Sequence, residues 1–415
     1  SCRKVLIMSK VAVIGAGAAG LVAAYAAAKN GNEVTVFEKN EKCGKKIYIT
    51  GKGRCNVTHE CTPSEFLSNV VTNAKFMTSS IYGFSPEDTV NFFESGGLKL
   101  KTERGARVFP VSDKASDVSK CLENYCKKAG VIFKFGEEVK SIEVISSTIS
   151  DIITSKGKYF FDNVIVCTGG KSYPLTGSTG DGYVFAQATG HNIIEPKQGL
   201  CGLNLKGIWF KKLQGLSLKN INLSVFYNGK KAKELFGEML FTHYGISGPV
   251  VLSASSLINR YDLNNVKLYV DFKPALNYEQ LDNRILRDFE SYKNKDISNC
   301  LKQLLPSAVI PEILKRSAVA EDKKVNSLTK AERHSLLTNI KNFDMLILSL
   351  RGFDEAIITC GGVDVKDLNP KTMESKLIKG LYFCGEVLDI DAYTGGFNLQ
   401  IAFSTGFAAG NGIKD

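Results

Sequence analysis

The sequence predicts an α/β protein with a Rossmann-like domain, an inserted β-barrel and a small helical module. Three observations support this fold class. Residues 10–38 contain a buried strand, a glycine-rich turn, an alanine-rich helix and a second strand in succession. Residues 200–272 alternate polar and apolar positions in short runs, which is the pattern of antiparallel barrel strands. Residues 380–400 then return to a strand, a Gly-acid pair and the start of a helix that opens on glycine.

The first element is the strand–turn–helix–strand unit of residues 10–38. Its candidate cofactor contacts in the turn are Gly15, Gly17, Ala18, Ala19 and Gly20. Glycines in such a turn allow the tight bend, close approach to a pyrophosphate and close helix–strand packing. The helix N-terminus offers N–H groups to the phosphates. Glu38, 18 residues beyond Gly20, ends the second strand where it can bind ribose hydroxyls. This order predicts a dinucleotide site.

The same stretch has a competing interpretation as a membrane segment. Val11–Ala28 is an uncharged run of 18 residues, long enough for a membrane helix or a signal-peptide core. The run is mostly Ala and Gly, however, and only the strand–turn–helix interpretation explains each glycine. We therefore expect no membrane partner. Residues 1–7 precede Met8 and are set aside as a leader or an added segment.

Composition sets the broad class and the partners. A chain of 415 residues with 44% hydrophobic and 23% charged residues is typical of a globular protein with two or three domains. Eleven cysteines without a CxxC pair indicate reduced thiols and a cytoplasmic location. The net charge of +11 favours anionic partners, including an anionic small-molecule substrate. Nucleic acid is expected to be an unlikely partner, since the lysines are dispersed without an arginine–aromatic cluster.

A second anion-binding loop follows Glu38. Lys39, Lys45 and Lys46 precede the run Gly51-Lys-Gly53-Arg54-Cys55-Asn56. The lysines can neutralise a pyrophosphate, and Arg54 and Asn56 can bind a flavin ring or a substrate. No histidine or second cysteine is visibly paired with Cys55, so Cys55 is assigned to packing beside the cofactor rather than to catalysis. The alternative for the whole run is a basic surface turn.

The next segment mixes helices and strands. Residues 63–128 are predicted to be helical with loops, amphipathic at 86–96 and 113–128, with an ordered turn at 104–110 that carries Arg107. A strand at 131–135 leads to Val139, a candidate backbone contact for an adenine. Short strands at 140–145, 148–154 and 158–162 resemble a β-meander.

After the strand that follows the meander, a second segment of backbone is expected to lie close to the cofactor. Residues 163–167 run into Thr168, Gly169 and Gly170. Thr179 or Asp181 is expected to cap a helix over 182–189, whose N-terminus would offer another site for negative charge.

The domain boundaries follow these changes of pattern. The Rossmann-like domain is predicted to comprise residues 8–196 and 360–415, the barrel 197–275 with return strands at 342–359, and the helical module 276–341. His243, within the barrel, is either a proton donor or substrate contact or a hydrogen-bonded structural histidine.

The C-terminal segment specifies the type of dinucleotide. Gly385 and Glu386 end a strand, and Asp389 and Tyr393 precede a helix that begins with Gly396, Phe397, Asn398 and Leu399. An acid at this place can bind ribityl hydroxyls, and the helix dipole can stabilise negative charge on a reduced flavin ring. Dinucleotide elements at both ends of the chain therefore predict one extended FAD.

These motifs together resemble the BaiN/YhiN-like family of FAD-dependent oxidoreductases, some members of which are called aminoacetone-oxidase-like. The resemblance spans nearly the whole chain from Met8, and its distinctive runs are residues 51–56, 168–170, 176–182, 241–249 and 385–400. It implies non-covalent FAD, a Rossmann-like domain built from both ends of the chain, an inserted barrel and a helical module. Thr168-Gly-Gly and the Thr-Gly-Asp-Gly run also resemble the flavoprotein subunits of fumarate reductases.

The expected function is hydride transfer between FAD and a small or medium organic substrate, in a cleft between the FAD domain and the barrel. Arg54, Arg107, His243 and Tyr393 are candidates to orient substrate or supply a proton. No second glycine-rich strand–turn–helix is present, so NAD(P)H, if it is the donor, must bind transiently. The alternatives are an FAD-carrying protein that binds RNA or modifies tRNA, and a redox-inert FAD-bound scaffold.

Overall fold

The computed structural model describes residues 8–413, so the proposed leader at 1–7 lies outside the described residues. The chain divides into two units. We call residues 8–198 and 353–413 the Rossmann unit, and Gly199–Gly352 the barrel unit.

The elements up to residue 198 belong to the Rossmann unit. Its strands there are β1 (Lys10–Ile14), β2 (Glu33–Glu38), β3 (Thr58–His59), β4 (Leu100–Glu103), β5 (Arg107–Pro110), β6 (Ile132–Phe135), β7 (Val139–Ile145), β8 (Thr148–Thr154), β9 (Lys158–Phe160), β10 (Asn163–Val166) and β11 (Ile193–Gly199). Its helices there are α1 (Ala18–Lys29), α2 (Pro63–Ser68), α3 (Ala74–Gly83), α4 (Pro86–Ser95), α5 (Ala115–Lys128) and α6 (Asp181–Ala188).

The barrel unit follows, and the Rossmann unit then resumes. The barrel unit contains β12 (Leu203–Leu205), β13 (Ser217–Tyr227), β14 (Lys230–Phe241), β15 (Gly245–Ser247), α7 (Pro249–Ile258), β16 (Val266–Asp271), α8 (Tyr278–Ser291), α9 (Ile297–Cys300), α10 (Ile310–Arg316), α11 (Lys330–Lys341) and β17 (Phe343–Leu350). The Rossmann unit is completed by β18 (Ile358–Val363), β19 (Leu381–Phe383) and α12 (Phe397–Gly412).

A parallel sheet forms the centre of the Rossmann unit. Its strand order is β19-β10-β1-β2-β6, with β1 between β10 and β2. Val11, Ala12 and Val13 of β1 are fully buried, as expected of a strand covered on both faces. The strands of this sheet come from both ends of the chain, since its edge strand β19 begins at Leu381. The predicted α/β class with a Rossmann-like domain and a barrel is confirmed.

Helices α1 and α12 pack closely because small residues line their contact. A Cβ on Gly406 would lie 2.4 Å from the carbonyl oxygen of Ala19, and one on Gly410 would lie 2.4 Å from that of Ala23. The alanines of α1 and the glycines of α12 therefore allow the two backbones to approach. The first helix, after β1, is thus covered by the last helix of the chain.

The structure corrects two local predictions in this unit. Residues 104–106 form the predicted turn, but Arg107–Pro110 is a strand that pairs with both β3 and β4. The predicted capping of α6 is wrong: Gly180 is its N-cap residue and no side chain caps it. Thr179 and Asp181 instead accept hydrogen bonds from Lys39, each at 2.6 Å.

The barrel unit is a closed antiparallel barrel with attached helices. Its strand order is β12-β15-β14-β13-β16-β17, with β17 returning to pair with β12. The strands alternate as the sequence pattern indicates, so Leu223, Val225 and Leu268 are fully buried inside the barrel. Helices α8 to α11 share one hydrophobic core with the barrel. The next strand, β18, pairs with β11 in the Rossmann unit, so the barrel strands end at Leu350 rather than 359.

None of the helices in residues 8–413 is both long and apolar enough to cross a membrane. The cysteines in the described residues are all free thiols.

Candidate functional site

The glycine-rich turn lies where three segments of the chain meet. A Cβ on Gly15 would lie 2.6 Å from the Cys167 carbonyl oxygen, and one on Gly385 would lie 2.7 Å from the Ala19 side chain. The turn after β1 therefore touches the chain leaving β10 and the chain leaving β19. This is the carboxyl edge of the parallel sheet, where open α/β folds bind ligands.

The turn itself leaves room for a ligand. A Cβ on Gly17 would have no atom within 4 Å, in contrast to one on Gly15 or Gly20. Gly17 is the N-cap residue of α1, and no side chain caps this helix or places an acid in its first turn. The N–H groups at a helix start have no partner within the helix, so those of Ala18 and Ala19 are available to phosphate oxygens.

Glu38 is fixed at the edge of this turn. Its carboxylate accepts hydrogen bonds from the backbone N–H of Ala16 at 2.9 Å and of Asn40 at 2.9 Å, and from the Asn40 amide at 2.7 Å. The acid thus ties the end of β2 to the turn after β1. The segment between β6 and β7 adjoins Glu38, because the backbone N–H of Glu137 donates to the Glu38 carbonyl oxygen. Val139, the first residue of β7, is buried.

The predicted lysines have protein partners of their own. Lys39 binds Asp181, and Lys45 donates to the Asn40 side-chain oxygen at 2.9 Å. Lys46 forms an ion pair with Glu386 at 2.6 Å. The lysine expected to bind phosphate and the acid expected to bind the ribityl chain therefore bind each other. These lysines shape the loops around the turn, and any contact with phosphate stays a prediction.

Glu386 belongs to a hydrogen-bond network of four residues. One carboxylate oxygen accepts from the Ser172 hydroxyl at 2.9 Å and the Thr359 backbone N–H at 2.8 Å, and the other accepts from Lys46. Lys46 also donates to the Ser172 hydroxyl at 2.6 Å. The sequence did not indicate Ser172 and Thr359, because the hydrogen bond between them joins positions 187 residues apart and forms only in the folded chain.

The loop of residues 51–56 has several residues with positive φ around the buried thiol of Cys55. Gly51 and Gly53 have φ values of +56° and +85°, and Cys55 has +60°. Burial raises the pKa of the Cys55 thiol to about 12, so it is protonated at neutral pH and is not a nucleophile. The side-chain oxygen of the next residue, Asn56, is buried without a hydrogen-bond partner.

Arg54 is held by carboxylates of the protein. Its guanidinium binds Glu103 and Asp113 and lies 4.3 Å from the centre of the Phe109 ring. Hydrogen bonds to Glu103 and then to Asp113 raise the pKa of Arg54. Its charge is therefore already compensated, which weakens the expectation that Arg54 binds substrate. Arg107 is exposed, and its Nε donates to the Arg104 carbonyl oxygen at 3.3 Å.

A second unpartnered oxygen lies beside the turn. The hydroxyl of Thr168 is buried and has no hydrogen-bond partner. It faces Gly182 of α6, whose Cβ would lie 2.2 Å from this oxygen. Gly169 follows with a φ of +72°, and a Cβ on Gly170 would lie 2.3 Å from the Thr359 hydroxyl. Larger residues would therefore displace this segment.

The C-terminal loop closes over the Asn56 loop. A Cβ on Gly396 would lie 2.6 Å from the Thr58 carbonyl oxygen and 3.0 Å from the unpartnered Asn56 oxygen. The side chain of Asn398 accepts from the Ala392 N–H at 3.0 Å and donates to its carbonyl oxygen at 2.9 Å. Asn398 therefore holds the loop and has less freedom to contact the cofactor by its side chain.

His59 also lies in this loop cluster and was not among the sequence candidates. Its ring stacks on Phe397 with centroids 4.5 Å apart, and its Nδ1 lies 3.2 Å from the Gly395 carbonyl oxygen. Phe397 is buried, and Leu399 packs against the same core. Asp389 accepts a hydrogen bond from the Asn73 amide at 3.1 Å.

Tyr393 and His243 have different settings. Tyr393 is half-buried on the C-terminal loop, where burial and then the Asp391 carboxylate raise the pKa of its hydroxyl. His243 is exposed in the barrel unit, with its ring 5.0 Å from that of Tyr244. Arg54 and Tyr393 thus belong to the Rossmann unit and His243 to the barrel unit.

These observations fit FAD. The open space over Gly17, the uncapped start of α1 and the unpartnered Thr168 oxygen lie at the carboxyl edge of the sheet, and the unpartnered Asn56 oxygen lies beside Gly396 at the start of α12. Thr168, Asn56 and the Glu386 network provide polar groups for a polyhydroxyl chain and a flavin ring. By class, the protein is a Rossmann-fold, FAD-dependent oxidoreductase.

Comparison with known proteins gives the family. The family described as "HI0933-like protein Rossmann domain" matches residues 9–412, and the chain belongs to this family. It is similar to the 3-dehydro-bile acid delta(4,6)-reductase of Clostridium scindens, with 32% identity over 98% of this chain and 100% of the relative. It is equally similar to the ribosomal RNA dihydrouridine synthase of Haemophilus influenzae, with 32% identity over 97% and 98% of the two chains.

A solved structure agrees with the fold. The chain resembles 3-ketosteroid-delta4-(5alpha)-dehydrogenase from Rhodococcus jostii RHA1 with a TM-score of 0.52 over 99% of each chain. At 16% identity this likeness concerns the fold alone.

Proposed function

We propose that this protein is an FAD-dependent reductase of carbon–carbon double bonds conjugated to a carbonyl group. The observation that carries the proposal is the cradle at the sheet edge, with open space at Gly17 and an unpartnered Thr168 hydroxyl. The two relatives named above are a bile-acid reductase and a dihydrouridine synthase. Their names share one reaction type, because a 3-oxo-4,6-diene and a uracil ring both hold a double bond conjugated to a carbonyl.

Such a reduction requires a hydride at one carbon and a proton at the other. When bound, FAD supplies the hydride from its reduced ring. A proton donor must be protonated at neutral pH, as a tyrosine hydroxyl is, and Tyr393 lies half-buried on the loop that leads into α12. Arg54 is a poorer candidate, since Glu103 and Asp113 already bind it. We therefore assign the proton to Tyr393.

We further propose that NAD(P)H supplies the electrons by transient binding. The glycine-rich turn at residues 15–20 is the one strand–turn–helix of its kind in the sequence, and its geometry suits FAD. A nicotinamide donor would then bind only long enough to reduce the flavin.

For the substrate, charge favours uracil in ribosomal RNA over a small enone. The barrel unit, Gly199–Gly352, contains 23 Lys and Arg against 14 Asp and Glu, whereas the remainder of the chain contains 30 against 28. The barrel unit thus carries +9 of the net +11. An excess of this kind favours a polyanion. This asymmetry and the relative named for ribosomal RNA support nucleic acid as a partner, which the sequence alone makes unlikely.

The first experiment is anaerobic spectrophotometry of the purified protein. We expect a flavin absorbance band that NADH or NADPH bleaches. The reduced protein is then mixed with unmodified ribosomal RNA or with a 3-oxo-4,6-diene steroid, and return of the band is followed. Recovery with RNA, with a mass gain of two hydrogens on uridine in the digested RNA, supports the favoured substrate.

Other outcomes are equally decisive. Recovery only with the steroid would retain the reductase and reject RNA as substrate. A flavin that photoreduces but responds to neither nicotinamide would refute NAD(P)H as donor. Failure of both substrates to reoxidise a reduced flavin would contradict the proposed reaction.

A further inference from the structure

The excess charge of the barrel unit is concentrated in one segment. Residues 199–233 contain seven lysines and no acid, and all seven are exposed: Lys206, Lys211, Lys212, Lys219, Lys230, Lys231 and Lys233. Among the ion pairs of residues 8–413, only Lys231 of this set has a carboxylate partner, Glu234. The segment therefore presents uncompensated positive charge to solvent.

Near two of these lysines, Lys206 and Lys230, lies a groove on the outer wall of the barrel, which we call the hairpin groove. It has a volume of about 550 Å³ and lies at the turn between β13 and β14, with Asn228 and Gly229 in its lining. Strand alternation explains which residues face it. Val225 and Leu268 are fully buried inside the barrel, whereas Phe226 and Lys267, paired across β13 and β16, face outward.

The lining combines aromatic rings with amides. Phe226 and Tyr269 meet edge to face, with ring centroids 5.1 Å apart. Four asparagines complete the wall: Asn228, Asn264, Asn265 and Asn342. The groove lining contains Lys267 and no acidic residue.

A neighbouring groove extends this surface. It has a volume of about 360 Å³ and is lined by residues that include Lys206 and Trp209. The Lys206 amine lies 3.5 Å from the side-chain oxygen of Asn264, which lines the hairpin groove. Lys206 therefore connects the two grooves along the barrel wall.

We propose that the hairpin groove and the lysines beside it bind a single-stranded stretch of RNA. Aromatic side chains stack on bases, asparagine amides hydrogen-bond base edges, and lysines bind phosphates. The groove offers all three groups, and the seven lysines extend the charge beyond it. This inference rests on the proposed RNA substrate but concerns a surface of the barrel unit, separate from the residues assigned to FAD.

The test measures binding of the full-length, FAD-loaded protein to a single-stranded ribosomal RNA fragment over a salt series. The variant Lys206→Gln/Lys230→Gln/Lys267→Gln removes the charge that lines the groove and two beside it, since Lys206 contacts Asn264 and Lys230 follows Gly229. Lys75→Gln/Lys99→Gln/Lys120→Gln removes the same charge from exposed positions of the Rossmann unit. Each phosphate contact contributes about 0.7 to the slope of log affinity against log salt for single strands. We expect the groove variant to reduce this slope by roughly 2 and the control to leave it nearly unchanged.

A second variant tests stacking independently of charge. Tyr269→Ala should weaken RNA binding on the order of tenfold at every salt concentration, with the slope unchanged. Phe226→Ala should act in the same direction, since the two rings form one wall of the groove.

The outcomes separate this inference from the proposed function. Both triple variants losing affinity equally would reject the groove in favour of diffuse charge. Wild-type affinity in the groove variant and in Tyr269→Ala would overturn the inference outright. All variants should keep flavin bleaching by the nicotinamide donor, and a wild-type protein that reduces a small enone but does not bind RNA would leave the reductase intact while rejecting the groove.

Discussion

Two buried oxygens without hydrogen-bond partners, on Asn56 and Thr168, lie in loops that the sequence assigns to the cofactor. Burying such an atom unpaired costs about 1–3 kcal/mol. A protein retains this cost where a bound molecule later supplies the hydrogen bond. We therefore expect these oxygens to lower the stability of the FAD-free protein and to increase its affinity for FAD.

Thr168→Val tests that expectation. Valine has the same shape and removes the unpaired hydroxyl, so the FAD-free protein should unfold at a higher temperature while FAD affinity falls. Thr154→Val is the matched control, because the Thr154 hydroxyl is satisfied by Glu137 at 2.7 Å, and its loss should only destabilise. Thermal unfolding and FAD titration measure the two effects. A Thr168→Val protein that loses stability without FAD would contradict the assignment.

Gly17→Val addresses the space over the turn. A Cβ there has no protein atom within 4 Å, so the variant should unfold at the same temperature as the FAD-free wild type. The valine would occupy the region where a pyrophosphate must approach, and the purified variant should lack the flavin band. Gly157→Val, at another position with no atom within 4 Å, should remain yellow. Retention of full flavin content by Gly17→Val would exclude this turn as the phosphate site.

Tyr393→Phe separates proton donation from hydride supply. Flavin reduction by the nicotinamide donor should keep its rate, while reoxidation by the substrate should slow on the order of 100-fold. Tyr82→Phe, at a tyrosine that is 61% exposed, should leave both steps unchanged. Equal reoxidation rates in Tyr393→Phe and wild type would assign the proton to another group, with His59 as the next candidate in this loop cluster.

Among elements, the helix pair α1–α12 depends on the absence of side chains. Gly410→Leu would place carbon atoms against the Ala23 carbonyl, so we expect a loss of about 1–3 kcal/mol in the free energy of unfolding. Chemical denaturation measures it, with Gly157→Leu as a control at an unobstructed glycine. An unchanged midpoint for Gly410→Leu would show that the helices can separate without penalty.

The elements that the sequence predicted are those with strong local patterns. β1, α1 and β2 follow from a buried strand, small residues and a glycine turn, and the meander β7–β9 follows from alternation. The strand Arg107–Pro110 was missed because it is short and pairs with β3 and β4, which are also short. The cap of α6 was wrongly predicted because Lys39, 142 residues away from Asp181, engages the expected side chains.

Site prediction had the same limit. The sequence located the loops that meet at the sheet edge, since each carries glycines in a distinctive order. It did not show that Lys46 binds Glu386, or that Arg54 binds Glu103 and Asp113, because these pairs form only after the chain has folded. Whether each predicted residue contacts FAD stays a prediction.

At the scale of the whole molecule, one buried histidine links stability to pH. His191 is 4% exposed, its Nε2 lies 2.7 Å from the Ser375 hydroxyl, and its Nδ1 lies 3.0 Å from that of Thr189. Burial lowers the pKa of His191 below its ordinary value of 6.5. The folded state therefore binds fewer protons than the unfolded state, and its stabilising contribution is complete above 6.5 and lost as pH falls through the folded pKa.

We expect the unfolding temperature to fall as the pH is lowered from about 7.5 to about 5, with His191 contributing to the change because burial lowers its pKa. His191→Gln retains a hydrogen-bonding side chain without the titration, so its pH dependence should be shallower. His334→Gln, at an exposed position, serves as the control. A slope as steep in His191→Gln as in wild type would assign the acid sensitivity to other groups.

The sharing of one sheet by both ends of the chain also determines the order of assembly during synthesis. The ribosome releases β1 and α1 first, but β19 and α12 are made only from Leu381 onwards. Until then the alanine-rich face of α1 lacks its covering helix and the sheet lacks an edge strand. A nascent chain must therefore keep its first helix from aggregating while more than three hundred residues are translated. Flavin colour in a ribosome-bound chain would then report that translation has passed the last helix.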